Sequence, residues 1–427
     1  MINLKRALLL ASCASLANAA GYKIPEQSSD AVALSASNIA YSFGPDAAYY
    51  NPANMMYFED SRHYFENSFS YIHLGSSTFN PQFPNAHNYA VSSKNADFLI
   101  PTFNFISPEY IPNWRFGLSF AVPSGLDMRW VDKYPASTAR LFSLRVFEIN
   151  PSVAYRVNDK ISIGAGARAI YSYGKVDTNP YGMVSNSFLL EANRHIDGND
   201  LSFGWNVAAT YRPFSNLSFA ATYRSKVNLD LKGDANIVSK TTPNLSALAG
   251  FNGFYNGSVD VKIPLPAALN LAMAYKVKDV TFLAALERSF WSELVSFNFN
   301  YATRVPSEEV FDHPVEKKWK DSNTYRFGIV WDVNDKLRLM SGFAYDESPS
   351  NVNYIGFELP DTRAYIYSLG INYKFRDDLE FAIGYLYQQR KDRHINKEDN
   401  VASFNNIVGE MANGDAQILN FGIKYRF

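Results

Sequence analysis

The fold is decided by the stretch Leu217-Ser218-Phe219-Ala220-Ala221-Thr222-Tyr223-Arg224, which continues after two residues as Val227-Asn228-Leu229-Asp230-Leu231-Lys232. Successive side chains of a strand point to opposite faces, so this alternation places the large apolar side chains on one face and charged or hydroxyl side chains on the other. The pattern lasts over residues 217–232, whereas strands of soluble proteins usually end after about 5–6 residues. Crossing a bilayer takes roughly 9–11 residues of strand, and the stretch therefore predicts a transmembrane β-strand.

The composition supports a membrane protein without spanning helices. The chain has 427 residues, with 40 Lys and Arg against 41 Asp and Glu, which excludes a basic nucleic-acid-binding surface or an acidic tail as its organising feature. Aromatic residues make up 15% and charged residues 19%, yet the mean hydropathy is −0.21. After residue 19 no stretch approaches the roughly 18–20 apolar residues of a membrane helix. Many aromatics and alternating strands fit a β-barrel.

Fourteen such segments follow one another along the chain. They span approximately residues 62–80, 97–109, 113–130, 139–157, 161–179, 199–213, 217–237, 259–277, 280–301, 319–333, 336–351, 362–375, 379–392 and 416–427. Short and long connections alternate between them, as expected for periplasmic turns and external loops. Alternating aromatic residues also end the last segment at Phe427. We predict an all-β fold, a fourteen-stranded antiparallel transmembrane barrel in a bacterial outer membrane.

The N-terminus carries an export signal. Lys5 and Arg6 precede the apolar residues 7–16, and Ala17-Asn18-Ala19 provides a cleavage site, so residues 1–19 are predicted to be a signal peptide. Leu10-Ala11-Ser12-Cys13 also permits a lipoprotein signal that ends at an acylated cysteine. Cys13 is the only cysteine, and a chain cleaved after Ala19 therefore has no disulfide, thiolate metal site or cysteine nucleophile.

Residues 20–58 lack the alternation and contain the motif Tyr50-Asn51-Pro52-Ala53. The segment has few charges and is too long for a simple tail. A fourteen-stranded barrel is wider than a filled eight-stranded one and narrower than an open sixteen-stranded porin, so we expect its lumen to be occupied. The predicted organisation is a signal peptide at 1–19, an N-terminal hatch that plugs the lumen at 20–58, and the barrel at 59–427.

Several motifs, in order along the whole predicted mature chain, resemble the FadL-type long-chain fatty-acid transporters. They include Ala20-Gly21-Tyr22, the Asn51-Pro52-Ala53 motif, Lys232-Gly233-Asp234-Ala235, Trp319-Lys320-Asp321, Gly342-Phe343-Ala344-Tyr345-Asp346-Glu347-Ser348-Pro349 and Tyr425-Arg426-Phe427. The resemblance implies a fourteen-stranded barrel with a hatch and passive uptake of hydrophobic compounds. It also implies a pocket that pairs a ligand carboxylate with an Arg and a Lys, and a third strand that kinks inward to open the wall.

The cations of such a pocket are sought among side chains that alternation directs into the lumen, because a buried carboxylate is costly unless it is paired. Alternation places Arg168, Arg224, Lys226 and Arg326 there. Arg168 is the first candidate for the ligand head group and Arg326 another, although an ion pair of Arg168 with a lumen glutamate, Glu148 or Glu287, explains the residue equally well. For the lysine that the resemblance implies, Lys320 of the Trp-Lys-Asp match is the candidate.

The remaining site candidates concern the ligand tail and its route. Leu144, Val146, Ile170 and Phe254 are candidates for the tail-binding wall. Pro123 and Gly125 interrupt the third segment, because proline donates no ladder hydrogen bond, and are predicted to form the lateral-opening kink; an ordinary strand end is the alternative. Asn51, Pro52 and Ala53 are predicted to be the gating element of the hatch; a simple Asn-Pro turn is the alternative.

Enzyme motifs are weak. The six histidines show no H-x-x-H or H-E-x-x-H spacing, and the G-x-G-x-x-A match at residues 164–169 lies within a strand. We therefore expect no enzyme, catalytic residue, cofactor, metal or nucleic-acid partner, with an outer-membrane lipase as a remote alternative. The expected partners of the monomer are a fatty acid or other hydrophobic ligand, outer-membrane lipid and lipopolysaccharide, and the barrel-assembly machinery. The alternative functions are aromatic-hydrocarbon uptake within the same family, a general porin or an adhesin.

Overall fold

The computed structural model describes residues 21–58, 61–82, 89–184, 187–398, 405–412 and 414–427. The signal-peptide and lipoprotein predictions lie outside these residues. The described residues form a closed antiparallel barrel of fourteen strands, β1 to β14, in which β1 pairs with β14 from Tyr64↔Arg426 to Leu74↔Ala416. The predicted fold class is therefore confirmed.

The barrel strands match the predicted segments one for one. They are β1 Tyr64–Leu74, β2 Ala96–Ile106, β3 Trp114–Arg129, β4 Leu141–Asn158, β5 Ile161–Thr178, β6 Phe188–Phe214, β7 Leu217–Arg224 continuing as Val227–Thr242, β8 Gly253–Leu265 continuing as Ala268–Val277, β9 Val280–Ser289 continuing as Phe299–Tyr301, β10 Ser322–Asp332, β11 Leu337–Asp346, β12 Ala364–Arg376, β13 Leu379–Arg390 and β14 Ala416–Arg426.

The remaining elements lie in the N-terminal segment and in the connections. The helices are α1 Ser29–Ala33, α2 Ala47–Tyr50, α3 Lys133–Ala139 and α4 Glu308–Phe311, with 3-10 helices at Pro52–Tyr57, Ser246–Phe251 and Trp291–Glu293. The short strands are Thr78–Pro81, Val91–Ser92, Tyr181–Val184, Ser296–Phe297, Val315–Glu316, Arg393–Lys397 and Ile407–Ala412. No helix in the described part of the chain is long and apolar enough to cross a membrane.

The two faces of the wall are separated as alternation requires. In β6, Phe203 and Trp205 are exposed on the outside, while Asn206 and Thr210 are buried on the lumen side. The outward side chains would be unfavourable in water but suit a lipid environment.

Part-way along β7 the side chains that point outward change from the odd-numbered to the even-numbered residues, which corrects one expectation. Up to Tyr223 the odd-numbered side chains point outward, but from Val227 onward the odd-numbered side chains are buried inside. The ladder to β6 shifts by one residue between Arg224↔Asn206 and Lys232↔Asn199. Because an extra residue in one strand turns the following side chains to the opposite face, the single continuous apolar face inferred from residues 217–232 does not exist.

The N-terminal segment 21–58 lies inside the barrel and is almost wholly buried. Small polar wall side chains hold its backbone and turns: Ser162 Oγ donates to the carbonyl of Ala53 at 2.9 Å, and Ser218 Oγ to that of Ala40 at 2.7 Å. Glycines in the wall permit the close approach. A Cβ at Gly370, for example, would lie 2.2 Å from the Cβ of Ala33 in α1.

Candidate functional site: a lumen pocket beside a break in the wall

The wall is incomplete between β2 and β3. Within the described residues, β2 pairs with β3 only from Phe103↔Phe120 to Ile106↔Gly117, so residues 96–102 have no partner in β3. The ladder from β3 to β4 also shifts between Ala121 and Ser124. Pro123 sits within that irregularity, where its missing N–H costs the ladder no bond. The wall therefore has a gap in its hydrogen bonding at the level of Pro123.

The N-terminal residues dock on the lumen side of this irregular part of β3. Ile24 N donates to the Pro123 carbonyl and Gly125 N to the Tyr22 carbonyl, both at 2.9 Å. The Gln27 amide serves both backbone groups of Val122: its Oε1 accepts from the Val122 N–H at 2.7 Å, and its Nε2 donates to the Val122 carbonyl at 3.0 Å. The backbone at the break is therefore satisfied by the hatch instead of by β2.

A cavity of about 80 Å³ lies between this contact and the opposite wall, and charged side chains line it. The Arg168 guanidinium pairs with Glu148, Nη2 to Oε2 at 2.9 Å, and also donates to the Ser225 carbonyl at 2.8 Å. Arg224 binds the other oxygen of Glu148, and its guanidinium lies 4.4 Å from the ring centre of Tyr49. One carboxylate is thus the shared counter-ion of two guanidinium groups, and the three side chains together keep a net positive charge.

A second cluster of charged side chains connects the hatch to β9 and β10. Lys23 Nζ binds Glu287 and donates to Ser289 Oγ at 2.9 Å. Arg326 lies 3.9 Å from carboxylate oxygens of both Glu287 and Glu26, and it donates to the Ser35 carbonyl at 2.8 Å. The predicted Arg326 is therefore a buried lumen cation that contacts the hatch.

Toward the outer mouth the lumen becomes apolar. The predicted wall residues Leu144, Val146 and Ile170 are at most 1% exposed and belong to one cluster with Tyr22 and Val227. Phe254, in contrast, is 81% exposed and does not line this cluster. The structure thus brings Leu144, Val146 and Ile170 close to Arg168, which lies two residues before Ile170 on the same strand, β5.

Three aromatic rings close the apolar cluster around the start of the described chain. The Tyr22 and Trp291 ring centres are 4.9 Å apart, and those of Trp291 and Trp319 are also 4.9 Å apart. A Cβ at Gly21 would lie 2.6 Å from the Trp319 ring. Only a residue without a side chain fits at this point, and Gly21 also has a φ of +74°.

Two of the expected lumen cations lie elsewhere. Lys226 sits in the break between the two parts of β7, is exposed, and pairs with Glu293 at 2.9 Å. Alternation predicts a lumen position for Lys226 because the one-residue shift in β7 leaves no sign in the sequence. Lys320 is exposed, and its backbone N–H donates to the Pro349 carbonyl at 2.9 Å; the structure does not bring it to Arg168.

The buried lysine of this region is Lys317, which sequence reasoning missed. Its ammonium binds Glu358 and lies 5.6 Å from the ring centre of Phe297. Burial lowers the pKa of Lys317 although Glu358 favours its charged form. The signal available in the sequence was the alternation Val315, Lys317, Trp319, which places Lys317 on the side of the buried Trp319 and Lys320 on the other.

The predicted hatch residues form the tip of the segment, at the foot of β5 and β6. Asn51 Oδ1 accepts from the Ala53 N–H at 3.1 Å, and Asn51 Nδ2 donates to Thr210 Oγ1 at 2.9 Å. Pro52 opens the 3-10 helix at its first position. A Cβ at Gly164 would lie 2.6 Å from the Ala53 nitrogen, so Gly164 leaves room for the hatch. Among the described residues, no three or more His, Cys, Asp or Glu side chains are grouped so that they could hold a metal ion.

Comparison with known proteins decides the family. The family model for outer membrane protein transport proteins, described as OMPP1/FadL/TodX, matches residues 10–427. The chain belongs to this family. The barrel accordingly lies in the outer membrane, and this member of the FadL/TodX family is a channel protein for hydrophobic compounds.

Individual relatives are distant in sequence but similar in fold. A long-chain fatty acid transport protein of Salmonella typhi is 26% identical over 333 residues, which cover 70% of this chain and 71% of that protein. The crystal structure of a Pseudomonas aeruginosa FadL homologue superposes with a TM-score of 0.82 at 18% identity and covers 95% of this chain and 99% of that one. The Pseudomonas putida toluene transporter TodX has a TM-score of 0.72 at 16% identity, with 96% and 99% covered.

Proposed function

We propose that this FadL/TodX-family protein takes up long-chain fatty acids passively across the outer membrane, holds them in the lumen pocket and releases them sideways through the break between β2 and β3. One observation carries the proposal: the apolar cluster around Ile170 ends at buried cations beside the irregular part of β3. A long apolar tail and an anionic head group need this combination. The name of the Salmonella relative supports the same substrate class.

The way in which the backbone is satisfied at the break supports a lateral route. The hatch residues Tyr22, Ile24 and Gln27 supply the hydrogen bonds that β2 does not, so their displacement by a ligand would leave the wall open there. In this proposal residues 20–58 plug the lumen, and the tip around Pro52 stays docked while the first residues move. The protein then needs no energy source, because the ligand moves from the outside into the membrane down its own gradient.

Filling the small cavity tests the lateral route. Ser124 lines the cavity on β3, and Ser124→Phe is expected to lower oleate uptake by whole cells at least tenfold while the barrel still folds. The control Leu118→Phe changes the lipid face of the same strand, where Leu118 is 37% exposed. Normal uptake by the Ser124→Phe variant would contradict release beside Pro123.

Aromatic-hydrocarbon uptake is a second candidate, favoured by one observation. Each guanidinium group at the cavity already has Glu148 as a carboxylate partner, so neither is left unpaired when no ligand carboxylate is bound. The variant Arg168→Gln removes one cation of the cavity and leaves Glu148 paired with Arg224. A fatty-acid site should lose about tenfold in oleate affinity and keep its toluene affinity, since a charge-assisted hydrogen bond contributes about 1.5–3 kcal/mol. Unchanged oleate binding would favour the hydrocarbon function.

The same proposal specifies the wider setting of the protein. A monomeric barrel would present its lipid face to outer-membrane lipid and, on the outer side, to lipopolysaccharide, after insertion by the barrel-assembly machinery. Its hatch makes it a poor ion conductor. Large, steady currents from the purified protein in planar bilayers would contradict the plugged channel and favour the porin alternative.

A further inference from the structure

The outward face of β12 shows where the membrane begins and ends on this side of the barrel. Its outward side chains are apolar or aromatic from residue 365 to residue 375: Tyr365, Tyr367, Leu369, Ile371, Tyr373 and Phe375. Ten residue steps rise about 33 Å along a strand, which at the usual tilt of barrel strands spans an apolar band roughly 25 Å tall. Arg363 lies two residues before Tyr365, at the end of the long connection 347–363, and therefore at the outer surface of the membrane.

Two cations lie opposite each other at this level. Lys391, the residue after β13, donates its backbone N–H to the Arg363 carbonyl at 3.1 Å, which extends the ladder beyond Ala364↔Arg390. Arg363 is exposed and Lys391 is half-buried. The Lys391 ammonium lies 5.3 Å from the ring centre of Tyr365, on the outward face. Like charges directly opposite on neighbouring strands repel each other, yet the wall brings these two together.

Neither cation has a carboxylate partner. In the described parts of the chain no carboxylate oxygen lies within 4.0 Å of a side-chain nitrogen of Arg363 or Lys391. The neighbouring carboxylates are Glu347, which follows β11, and the exposed Asp392. Glu347 is engaged elsewhere, because its Oε2 accepts from the backbone N–H and the side-chain amide of Asn323 at 3.0 and 3.1 Å. The positive charge of the pair is thus directed to the membrane surface.

Outward cations of β7 differ from this pair. Lys240 Nζ lies 2.7 Å from Glu191, and Lys232 Nζ lies 3.4 Å from Asp230. Each of these lysines therefore has a counter-ion within the chain. The arginine and the lysine at the top of β12 and β13 lack one, so the repulsion between them is relieved only by an anion that the protein does not supply.

We propose that Arg363 and Lys391 bind a lipid A phosphate of lipopolysaccharide, the phosphate-bearing lipid of the outer leaflet. A guanidinium binds two phosphate oxygens side by side, and an ammonium adds a point charge to the same group. An exposed pair of cations alone attracts any anion, but the apolar face directly below it favours an anion that carries acyl chains. These chains would lie along Tyr367 and Leu369, which are 47% and 61% exposed. The site is outside the wall, so the inference does not depend on what the lumen transports.

Two lipids with the same acyl chains separate recognition of the phosphate from packing. The folded protein in neutral-detergent micelles with EDTA, which excludes bridging by divalent cations, is titrated with lipid A, with lipid A whose phosphates have been removed, and with inorganic phosphate. Native mass spectrometry measures the bound fraction. The double variant Arg363→Gln, Lys391→Gln removes the pair, and Lys232→Gln, Lys240→Gln removes the same charge from β7. Heat-dependent mobility on denaturing gels verifies that each barrel is folded.

The Arg363→Gln, Lys391→Gln variant is expected to bind lipid A at least tenfold more weakly, since hydrogen bonds to charged groups are lost, and to change binding of the phosphate-free lipid less than twofold. The β7 variant should equal the wild type. Unchanged lipid A affinity in the folded Arg363→Gln, Lys391→Gln variant would overturn the site.

Three other results would also overturn the proposal. An equal loss for both lipids would mean that the two residues act by packing, and an equal loss in the β7 variant would mean that net charge alone attracts the lipid. Inorganic phosphate that binds as tightly as lipid A would exclude a lipid-specific site. Oleate uptake by the Arg363→Gln, Lys391→Gln variant should stay normal, so failure of this site leaves the proposed function standing.

Discussion

The membrane-level part of the barrel and its outer extension use the two faces of the same strands in opposite ways. At membrane level β6 turns Val207 outward and Asn206 into the lumen. Nearer the outer mouth the same strand buries Leu190 and Ile196 inside and leaves His195 exposed outside. β7 makes the same change through its one-residue shift, and from Val227 its inner face is apolar.

The difference shows that alternation alone does not tell which face is inside. A 27-residue strand such as β6 rises about 3.3 Å per residue, far more than an apolar band roughly 25 Å tall requires even when tilted. Its lower part meets lipid outside and the hatch inside, whereas its upper part meets water outside and encloses apolar side chains. One chain thus builds a membrane barrel whose outer end, like a soluble protein, is apolar inside and polar outside.

The largest expected effect comes from a charge on the inner face of the extension. Leu229 is fully buried in the apolar cluster, so Leu229→Asp should lower the free energy of unfolding by about 3–5 kcal/mol or prevent folding, because it buries an unpaired charge. Asn228→Asp, on the exposed face next to it, should change little. Urea midpoints of the two variants in lipid vesicles measure the difference. Equal midpoints would mean that the faces of the extension are not inverted.

A charge on the lipid face should cost somewhat less. Val207 is 43% exposed near the middle of the outward apolar stretch of β6, and Val207→Lys should cost about 2–4 kcal/mol, the value for lysine near the bilayer midplane. Asn193→Lys, an outward position of the same strand above the membrane, is the matched control. If both variants unfolded at the wild-type urea concentration, the membrane level inferred for β6 would be wrong.

The polar interior at membrane level predicts a pH dependence of hatch docking. Burial raises the pKa of Asp46 to about 7 from its ordinary 3.8; its carboxylate accepts from Ser28 and Asn38 at 2.7 and 2.8 Å. The docked hatch therefore keeps a proton that an undocked one releases, and docking weakens as the pH rises from about 4 to about 7. Between pH 5 and pH 8 the free energy of hatch docking should become about 2–3 kcal/mol less favourable.

Thiol labelling measures this change. A cysteine at the buried Ala40 of the hatch should react several-fold faster at pH 8 than at pH 5, after correction for the thiolate fraction with a short peptide. Adding Asp46→Asn should abolish the pH dependence. If Asp46→Asn left the ratio of the labelling rates at pH 8 and pH 5 unchanged, another group would govern docking.

A smaller effect is expected from closing the space that the wall leaves for the hatch tip. Gly164→Ala places a Cβ 2.6 Å from the Ala53 nitrogen and should weaken docking by about 1–3 kcal/mol, as overpacking commonly does. The weaker docking should appear as brief channel openings in planar-bilayer current recordings. Gly250→Ala, with no atom within 4 Å of its Cβ, should behave as the wild type. Identical recordings from both variants would argue against the hatch tip as the seal.

Much of the fold was predictable because its physical signal is local. The two faces of each strand meet different surroundings, so its alternation can be recognised without knowledge of its neighbours. All fourteen strands were located in this way. Leu144, Val146 and Ile170, which alternation directs inward, lie in one buried apolar cluster, and their contact with a ligand tail stays a prediction. The outward shift of Lys226 and the choice of Lys317 over Lys320 did not follow, because a bulge of one residue leaves little trace in composition.

The sequence by itself determined the closed barrel and the presence of an N-terminal segment that is not a strand, because alternation and its absence are properties of consecutive residues. Only the tertiary structure decided which of the cations have a carboxylate partner. Glu148 meets Arg168 and Arg224 across three strands and Glu358 meets Lys317, whereas Lys320 is exposed. Charge pairing depends on distances of a few ångströms between residues far apart in the chain, and barrel closure sets those distances.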